Sequence, residues 1–402
     1  MTFRASITDN VAIGSRRIGH SKDLRIRLRW VTWWPVDYWV KRFSRLSEHV
    51  ELEVVFLASR SSLLRQTISR EDMDFKYRFL SDREDSIGYY QASFAGIRWP
   101  RPYALLKDNY DVIVMPISDP TCIAASFIAG LRNTRVFFFY PNTAHEDRNR
   151  SKIKEMLKKH LLNSADGVFL TGPRQLDYLR KYRTDMAHVT CIGNPAPPLP
   201  SPVEAREAMR SRINAQVGNP GADIVLFVGR LAPEKDLHTL LRALCEFKRR
   251  RGCCPTLVLV GEGPEESALM AFGKEHGLPI LFAGLKQGAE LSNYYSAADL
   301  FVLPSKSEPW GLVVNEAMQF GLPVVLSEHV GSAPVLLGGN GNETGMTFPV
   351  GDAAALCGRI TELLGDRERL GIMGRNCQMV IREHTIEKWC EAVLEAVSHE
   401  RA

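Results

Sequence analysis

Short apolar runs alternating with amphipathic stretches dominate the chain, most clearly in its second half. Residues 224–228, 256–260, 280–282 and 300–303 are almost wholly apolar. Runs this short, bounded by Gly, Pro and polar residues, predict strands buried on both faces of a sheet. Between them, 236–251, 265–276 and 288–296 space their apolar positions as helices do. A further helix is predicted from Gly311 to Gly321, then a strand at Pro323-Val324-Val325. A strand at 345–349, a helix over 352–364 and a terminal helix near 386–399 complete this half. The first half repeats the theme less evenly. It predicts strands at 24–31, 51–58, 110–117, 135–140 and 167–171, with helices over 37–49, 120–131, 151–163 and 174–181. Residues 59–100 mix charges and aromatics without a sustained period, so only short elements are expected there.

Residues 194–200 read NPAPPLP, a stiff extended segment that marks a domain boundary. A Glu-, Arg- and Ala-rich stretch over 203–216 adds a helix to that linker. The expected layout is a flexible polar leader (1–23), a first domain (24–193), a linker (194–222), a second domain (223–385) and a terminal helix (386–402). Strand–helix alternation on both sides of the linker predicts an α/β fold of two doubly wound, Rossmann-like domains facing each other across a cleft.

Composition narrows the class. The 402 residues, 45% hydrophobic and 24% charged, suffice for two full cores. The sequence has no run of about eighteen apolar residues, so nothing is expected to span a bilayer and a cytoplasmic protein is expected. The eight cysteines form no CxxC pair, which predicts reduced thiols with neither a disulfide frame nor a zinc site. Charge is uneven: residues 1–200 carry a net charge of +10 and the remainder −5. A basic half points to an anionic partner, whether nucleic acid, a lipid surface or a phosphorylated acceptor. No nucleic-acid-reading motif accompanies it, so no nucleic acid partner is expected. Two helices suggest peripheral contact with anionic membrane: 37–49, with Lys41, Arg42 and Arg45 beside Trp39, Val40 and Phe43, and 151–163, with Lys152, Lys154, Lys158 and Lys159. Solvated basic helix faces are the plain alternative.

The candidate chemistry gathers after predicted strands, where open α/β sheets bind ligands. In SEPWGLVVNEAM, Glu308 lies in the loop before a helix and Glu316 two turns inside it. The helix start at Gly311-Leu312-Val313 offers unpaired N–H groups to a diphosphate, and acids beside such a site suit sugar or ribose hydroxyls. Read alone, the two are a solvated loop acid and an exposed helix acid. In FVGRLAPEKDL, Gly229 permits a sharp turn and Arg230 and Lys235 place a guanidinium and an ammonium near a helix start. That end of a helix repels cations, so their presence favours a diphosphate partner. LVGEGPE contributes Gly261, equally readable as a plain tight turn, and FAGLKQGAEL offers Gly284 and Lys286 to a base pocket. Asp72-Met73-Asp74 spells an acidic triplet used by metal-dependent transferases, but in this polar segment it reads as chance, and no metal is expected.

The order of these motifs over residues 223–385 resembles the retaining GT-B glycosyltransferases of the group 1 (family 4) type. The resemblance implies a donor site in which Arg230 and Lys235 bind the donor diphosphate, Glu308 contacts the transferred sugar, Glu316 holds the ribose hydroxyls, and Trp310 with the backbone of Gly311–Val313 caps the phosphates. It implies metal-independent transfer with no cofactor beyond the nucleoside-diphosphate-sugar donor. The implied acceptor is a glycan or lipid-linked molecule, in surface polysaccharide or glycolipid synthesis at the inner membrane face. The first half departs from the pattern. Thr32-Trp33-Trp34-Pro35-Val36 stands where many relatives carry a glycine pair, and a Trp there could stack on a sugar face. His145 is the nearest match to a histidine close to the reacting sugar, and is equally a solvated loop residue. A non-catalytic nucleotide-sugar-binding scaffold and a GT-B sugar-nucleotide epimerase are the alternatives.

Overall fold

The computed structural model describes residues 25–58, 70–80, 101–143, 151–338 and 342–399. The expected leader (1–23) and His145 lie outside the described residues. The first domain contains β1 (Arg27–Thr32), α1 (Asp37–Ser47), β2 (Glu51–Phe56), β3 (Lys76–Phe79), α2 (Arg101–Leu105) and β4 (Val112–Pro116). It continues with α3 (Pro120–Gly130), β5 (Arg135–Phe139), α4 (Lys152–Ser164), β6 (Gly167–Leu170), α5 (Pro173–Leu179) and β7 (Val189–Cys191). Their sheet is parallel, in the order β3-β2-β1-β4-β5-β6-β7.

The second domain opens with α6 (Arg206–Gln216), β8 (Ile224–Val228), α7 (Leu237–Arg251), β9 (Thr256–Val260), α8 (Glu266–Glu275), β10 (Ile280–Gly284) and α9 (Gly288–Ala297). After these come β11 (Leu300–Leu303), α10 (Leu312–Gln319), β12 (Val324–Ser327), α11 (Ala333–Leu336), β13 (Gly345–Phe348), α12 (Ala353–Leu364) and α13 (Arg367–Ile381). This parallel sheet runs β10-β9-β8-β11-β12-β13. Each sheet thus reverses its winding direction once, between β1 and β4 and between β8 and β11. Loops at such a switch point diverge to opposite faces and leave a crevice at the strands' carboxyl ends.

The order follows from burial. β4, β8, β9, β11 and β12 are buried at every position, as strands covered by helices on both faces must be. The last helix, α14 (Ile386–Ser398), leaves the second domain and packs on α1. Its Trp389, Cys390, Val393 and Val397 join the first domain's core beside Trp30, Trp39 and Phe43. Arg42 is fully buried in this seam, its guanidinium over the rings of Tyr38 and Trp39 at 5.0 Å and of Trp389 at 5.9 Å, and it donates to the Pro195 carbonyl. Burial pushes its pKa down to about 9.

The proline-rich segment is pinned to the second domain. Gln319 accepts from the Leu199 N–H at 3.0 Å and donates to the Pro197 carbonyl at 3.1 Å, and the Ser292 hydroxyl donates to the Pro200 carbonyl at 2.6 Å. Helix α6 buries Met209 and Ile213 in the second core. A fragment of residues 201–384 therefore keeps α6 and omits α14, whose apolar face would otherwise be stranded. It is expected to fold alone and to bind a nucleoside diphosphate, read by a thermal shift; a folded fragment that fails to bind while the full chain binds would relocate the expected donor site.

Helix α1 is not placed as the membrane reading requires. Trp39, Val40 and Phe43 are core residues and Arg42 is buried. Lys41 pairs with Asp37 at 2.9 Å and Arg45 with Glu48. Lys41 and Arg45 point away from its aromatics because the aromatic stripe is the core stripe. No helix among the described residues is long and apolar enough to cross a membrane. The cysteines are all free, five of them buried, with Cys191 and Cys253 exposed.

Candidate functional site

At the carboxyl end of β8 the chain turns through Gly229, whose φ of 148° is open to glycine and strained for other residues. Beside it, a Cβ on Gly261 would sit 2.0 Å from the Gly229 carbonyl oxygen, and the Gly261 N–H donates to the Gly284 carbonyl at 2.8 Å. Gly229, Gly261 and Gly284 therefore stand side by side at the ends of β8, β9 and β10, and at Gly261 only bare backbone fits. Lys286 follows Gly284 and lies 3.8 Å from Glu290.

The loop after β8 forms a short 3-10 turn over Pro233–Lys235, followed by Asp236 in the left-handed region at φ 51°. Asp236 accepts from the Thr239 hydroxyl at 2.8 Å and pairs with Lys306 at 3.0 Å, and the Lys306 N–H donates to the Glu234 carbonyl at 2.8 Å. These contacts lock the loop after β8 to the loop after β11. Lys235 and Glu308, 73 residues apart in sequence, thereby form an ion pair in which both side chains are mostly buried. Arg230 pairs with Glu234 and keeps its side chain about half exposed.

The Glu308–Trp310 loop is held from two sides. Glu308 bridges to Val330, the Gly331 N–H donates to the Glu308 carbonyl at 2.9 Å, and the Ser332 N–H donates to the Trp310 carbonyl at 3.1 Å. A Cβ on Gly331 would lie 1.8 Å from the Pro309 oxygen, so this approach demands glycine. Across the cleft, Gln175 of α5 donates from Nε2 to the Pro309 carbonyl at 2.9 Å and to the Pro141 carbonyl at 3.1 Å. Trp310 is buried, and its indole N–H donates to Asn315 at 2.9 Å. Gly311, at φ 89°, caps α10 without a side chain, leaving the N–H groups of Leu312 and Val313 at the helix start.

Glu316 sits one turn into α10. The Tyr295 hydroxyl from α9 donates to its Oε2 at 2.8 Å. Burial pushes the Glu316 carboxyl up to about 7, with the Tyr295 hydrogen bond opposing and the charge of Asp37, on the first domain, adding to the rise. Burial, with Glu316 adjoining, holds the Tyr295 hydroxyl well above its ordinary value.

The structure thus brings Arg230, Lys235, Glu308, Trp310 and the Gly311–Val313 turn to one place, at the switch point between β8 and β11. Gly229, Gly261, Gly284 and Lys286 lie along the neighbouring strand ends, and Glu316 one helical step behind. Sequence reasoning passed over Tyr295, Glu234, Asn315 and Gln175. Tyr295 carried a signal, a tyrosine on the helix before the SAADLFVLP strand; Gln175 carried none, because its partner belongs to the other domain. Asp72 and Asp74 lie away from this cluster, with Asp74 hydrogen-bonded to Ser44 of α1.

Part of the chain is similar to known proteins in sequence, and most of it in fold. Residues 209–379 match the family of glycosyl transferases group 1. Over 164 residues the chain is 36% identical to a sulfoquinovosyl transferase of Arabidopsis thaliana, covering 41% of this chain and 31% of that protein. Over 231 residues it is 31% identical to a D-inositol 3-phosphate glycosyltransferase of Nocardia farcinica, covering 55% of this chain and 50% of that one. The matched stretch thus spans between about a third and a half of these relatives' length. In three dimensions the likeness is broader. A sucrose-phosphate synthase from Thermosynechococcus elongatus superposes with a TM-score of 0.65 at 21% identity, over 92% of this chain and 98% of that one. Anabaena HepE, solved in complex with UDP and glucose, gives a TM-score of 0.70 at 17% identity, over 93% and 99%. The fold is GT-B.

Proposed function

We propose that the protein is a retaining glycosyltransferase that takes a sugar from a nucleoside-diphosphate sugar and passes it to a glycan or lipid-linked acceptor, without a metal ion. The observation that carries this reading is the meeting of the Lys235–Glu308 pair, Arg230 and the open start of α10 at one switch point facing the cleft. Two cations and a helix N-terminus hold a diphosphate and stabilise the charge that develops on it as the glycosidic bond breaks. Glu308, on the cleft side of that site, adjoins the reacting sugar. Glu316, with Tyr295 steering its carboxylate, accepts from the ribose hydroxyls.

The test is a thermal-shift screen of nucleotide sugars followed by NMR observation of the product's anomeric configuration. Donor-dependent transfer or hydrolysis with retention is expected. Inversion would overturn the retaining reading, and stabilisation without turnover would leave a binding scaffold.

A pH dependence follows from Glu316. Its folded value of about 7 lies above the ordinary 4.5, so the folded chain holds a proton that the unfolded chain releases between those values. The stability this gives is complete below about 4.5 and is lost as the pH rises to about 7. Donor binding runs the other way, because ribose hydroxyls donate to the ionised form. Affinity for UDP-glucose, whose diphosphate does not titrate in this range, is expected to be about tenfold higher at pH 8 than at pH 6. Calorimetric titration checks this, and Glu316→Gln is expected to flatten the slope. A slope unchanged in that variant would assign the titration elsewhere.

Attachment to an anionic leaflet is retained in the proposal on α4 alone. Ile153 and Met156 are 70% and 69% exposed beside Lys152, Lys154 and Lys159, and Phe127 of α3, itself exposed, stacks on His160. Each such lysine contributes about 1 kcal/mol near an acidic leaflet. Co-sedimentation with phosphatidylserine vesicles is expected to fall with salt and with Lys152→Glu/Lys159→Glu; binding unmoved by both would remove this surface from the proposal.

A further inference from the structure

The cleft between the two switch points holds a cavity of about 340 Å³, a size that suits a small-molecule site. The loop after β1 lines it with Trp33 and Trp34, α1 with Tyr38, the loops after β4 and β5 with Ser118 and Asn142, and the loop after β11 with Glu308. Glu308 is the sole carboxylate, and Lys, Arg and His are absent, among the described residues of this lining. The cavity adjoins the proposed diphosphate site, itself a strong negative charge.

We infer that the acceptor group seated in this cavity is an uncharged sugar ring. The inference rests on the transferase reading above and narrows its acceptor. A phosphate or carboxylate carried into this space would be stripped of water beside Glu308 and a diphosphate, with no cation among the described residues of the lining to meet it. Three cations of the first domain serve elsewhere: Arg29 is locked to Glu53 at 2.5 Å, Arg42 lies in the α1–α14 seam, and Lys158 of α4 lies over the rings of Tyr140, Tyr178 and Tyr182. A plain hydrocarbon fails for the opposite reason. Thr171, buried in the wall, has a hydroxyl without a hydrogen-bond partner, and such a group loses free energy against an alkyl chain. A neutral pyranose meets both conditions, since its C–H face lies on an indole while its rim of hydroxyls reaches Thr171, Asn142 and Asn194. The bulky Thr32-Trp33-Trp34-Pro35-Val36 turn is then the platform for that face.

The test is saturation-transfer NMR on the full chain with UDP present. The probes are methyl glucoside, methyl galactoside and methyl mannoside, the matching hexose 6-phosphates, and 1-octanol. At least one methyl glycoside is expected to bind saturably through its ring C–H protons. Trp34→Ala is expected to weaken that binding by about tenfold and Trp34→Phe to restore most of it, both variants retaining the UDP thermal shift. A hexose 6-phosphate binding as tightly as its neutral counterpart, octanol competing for the site, or no glycoside binding to a protein that responds to UDP would each overturn the inference alone. Absence of any response to UDP, GDP or ADP would overturn the transferase reading and this inference with it.

Discussion

Glu308→Gln is expected to lower turnover by about a hundredfold or more while leaving donor affinity unchanged or slightly tighter. The split follows from the ion pair. In the unliganded protein the Lys235 ammonium is held by the Glu308 carboxylate. A donor diphosphate must share or take that cation, so binding works against an existing attraction. Glutamine keeps the size and one acceptor oxygen but removes the negative charge, and Lys235 is then freer to meet the diphosphate. What is lost is the carboxylate's interaction with the sugar as positive character grows at the reacting carbon, which exists only in the transition state and so appears in kcat. Lys235→Met is the mirror case, expected to weaken donor binding first and to leave a mostly buried carboxylate uncompensated. Steady-state kinetics and calorimetric donor titration on folded Glu308→Gln protein decide the matter. Wild-type turnover would take Glu308 out of the chemistry and leave a structural ion pair.

Both halves of the fold were legible because parallel strands mostly advertise themselves as short apolar runs, and eleven of the thirteen strands among the described residues fall on stretches expected as strands. The two that escaped are edges. β3, with the sequence KYRF, alternates charge with aromatics because only one flank is paired, and β7 is three residues long. Helix α13 escaped for another reason. Leu370, Met373, Cys377 and Ile381 give it a helical stripe, yet Gly371 and Gly374 break its propensity. Gly374 is there because a Cβ would lie 2.5 Å from the Gly321 carbonyl where α13 crosses the end of α10. Packing overrode propensity at that point. In the site, the positions of Arg230, Lys235, Glu308 and Glu316 at strand and helix ends could be read from spacing, whereas their partners could not. Lys235 to Glu308, Tyr295 to Glu316 and Gln175 to Pro309 are separated by 73, 21 and 134 residues. The misreading of α1 has the same root. Trp39, Val40 and Phe43 beside three cations describe a lipid-facing helix and a core-facing one equally well, and the choice depends on α14, more than 300 residues downstream.

That dependence sets the second large effect. Trp389→Ala is expected to destabilise the first domain by about 3–5 kcal/mol, the usual cost of truncating a large buried aromatic. Trp389 is 1% exposed, with its ring 5.5 Å from Trp30 and 6.0 Å from Trp39 and the Arg42 guanidinium nearby. Because α14 follows the second domain and docks on the first, one relief is open: the helix can undock, limiting the loss to its own docking free energy. Undocking has a further cost, since it uncovers Phe43, Trp39 and a buried guanidinium whose single hydrogen bond runs to Pro195. The two domains need not melt together, so a single midpoint does not describe the loss. The measurement is denaturant unfolding followed by hydrogen exchange resolved along the chain. In the variant, amides of α14, α1 and β1 are expected to lose protection at lower denaturant, while those of β8, β9 and β11 keep theirs and the UDP response persists. A variant within about 1 kcal/mol of the parent, or one whose second domain opens in step with the first, would show that α14 is not the brace of the first domain.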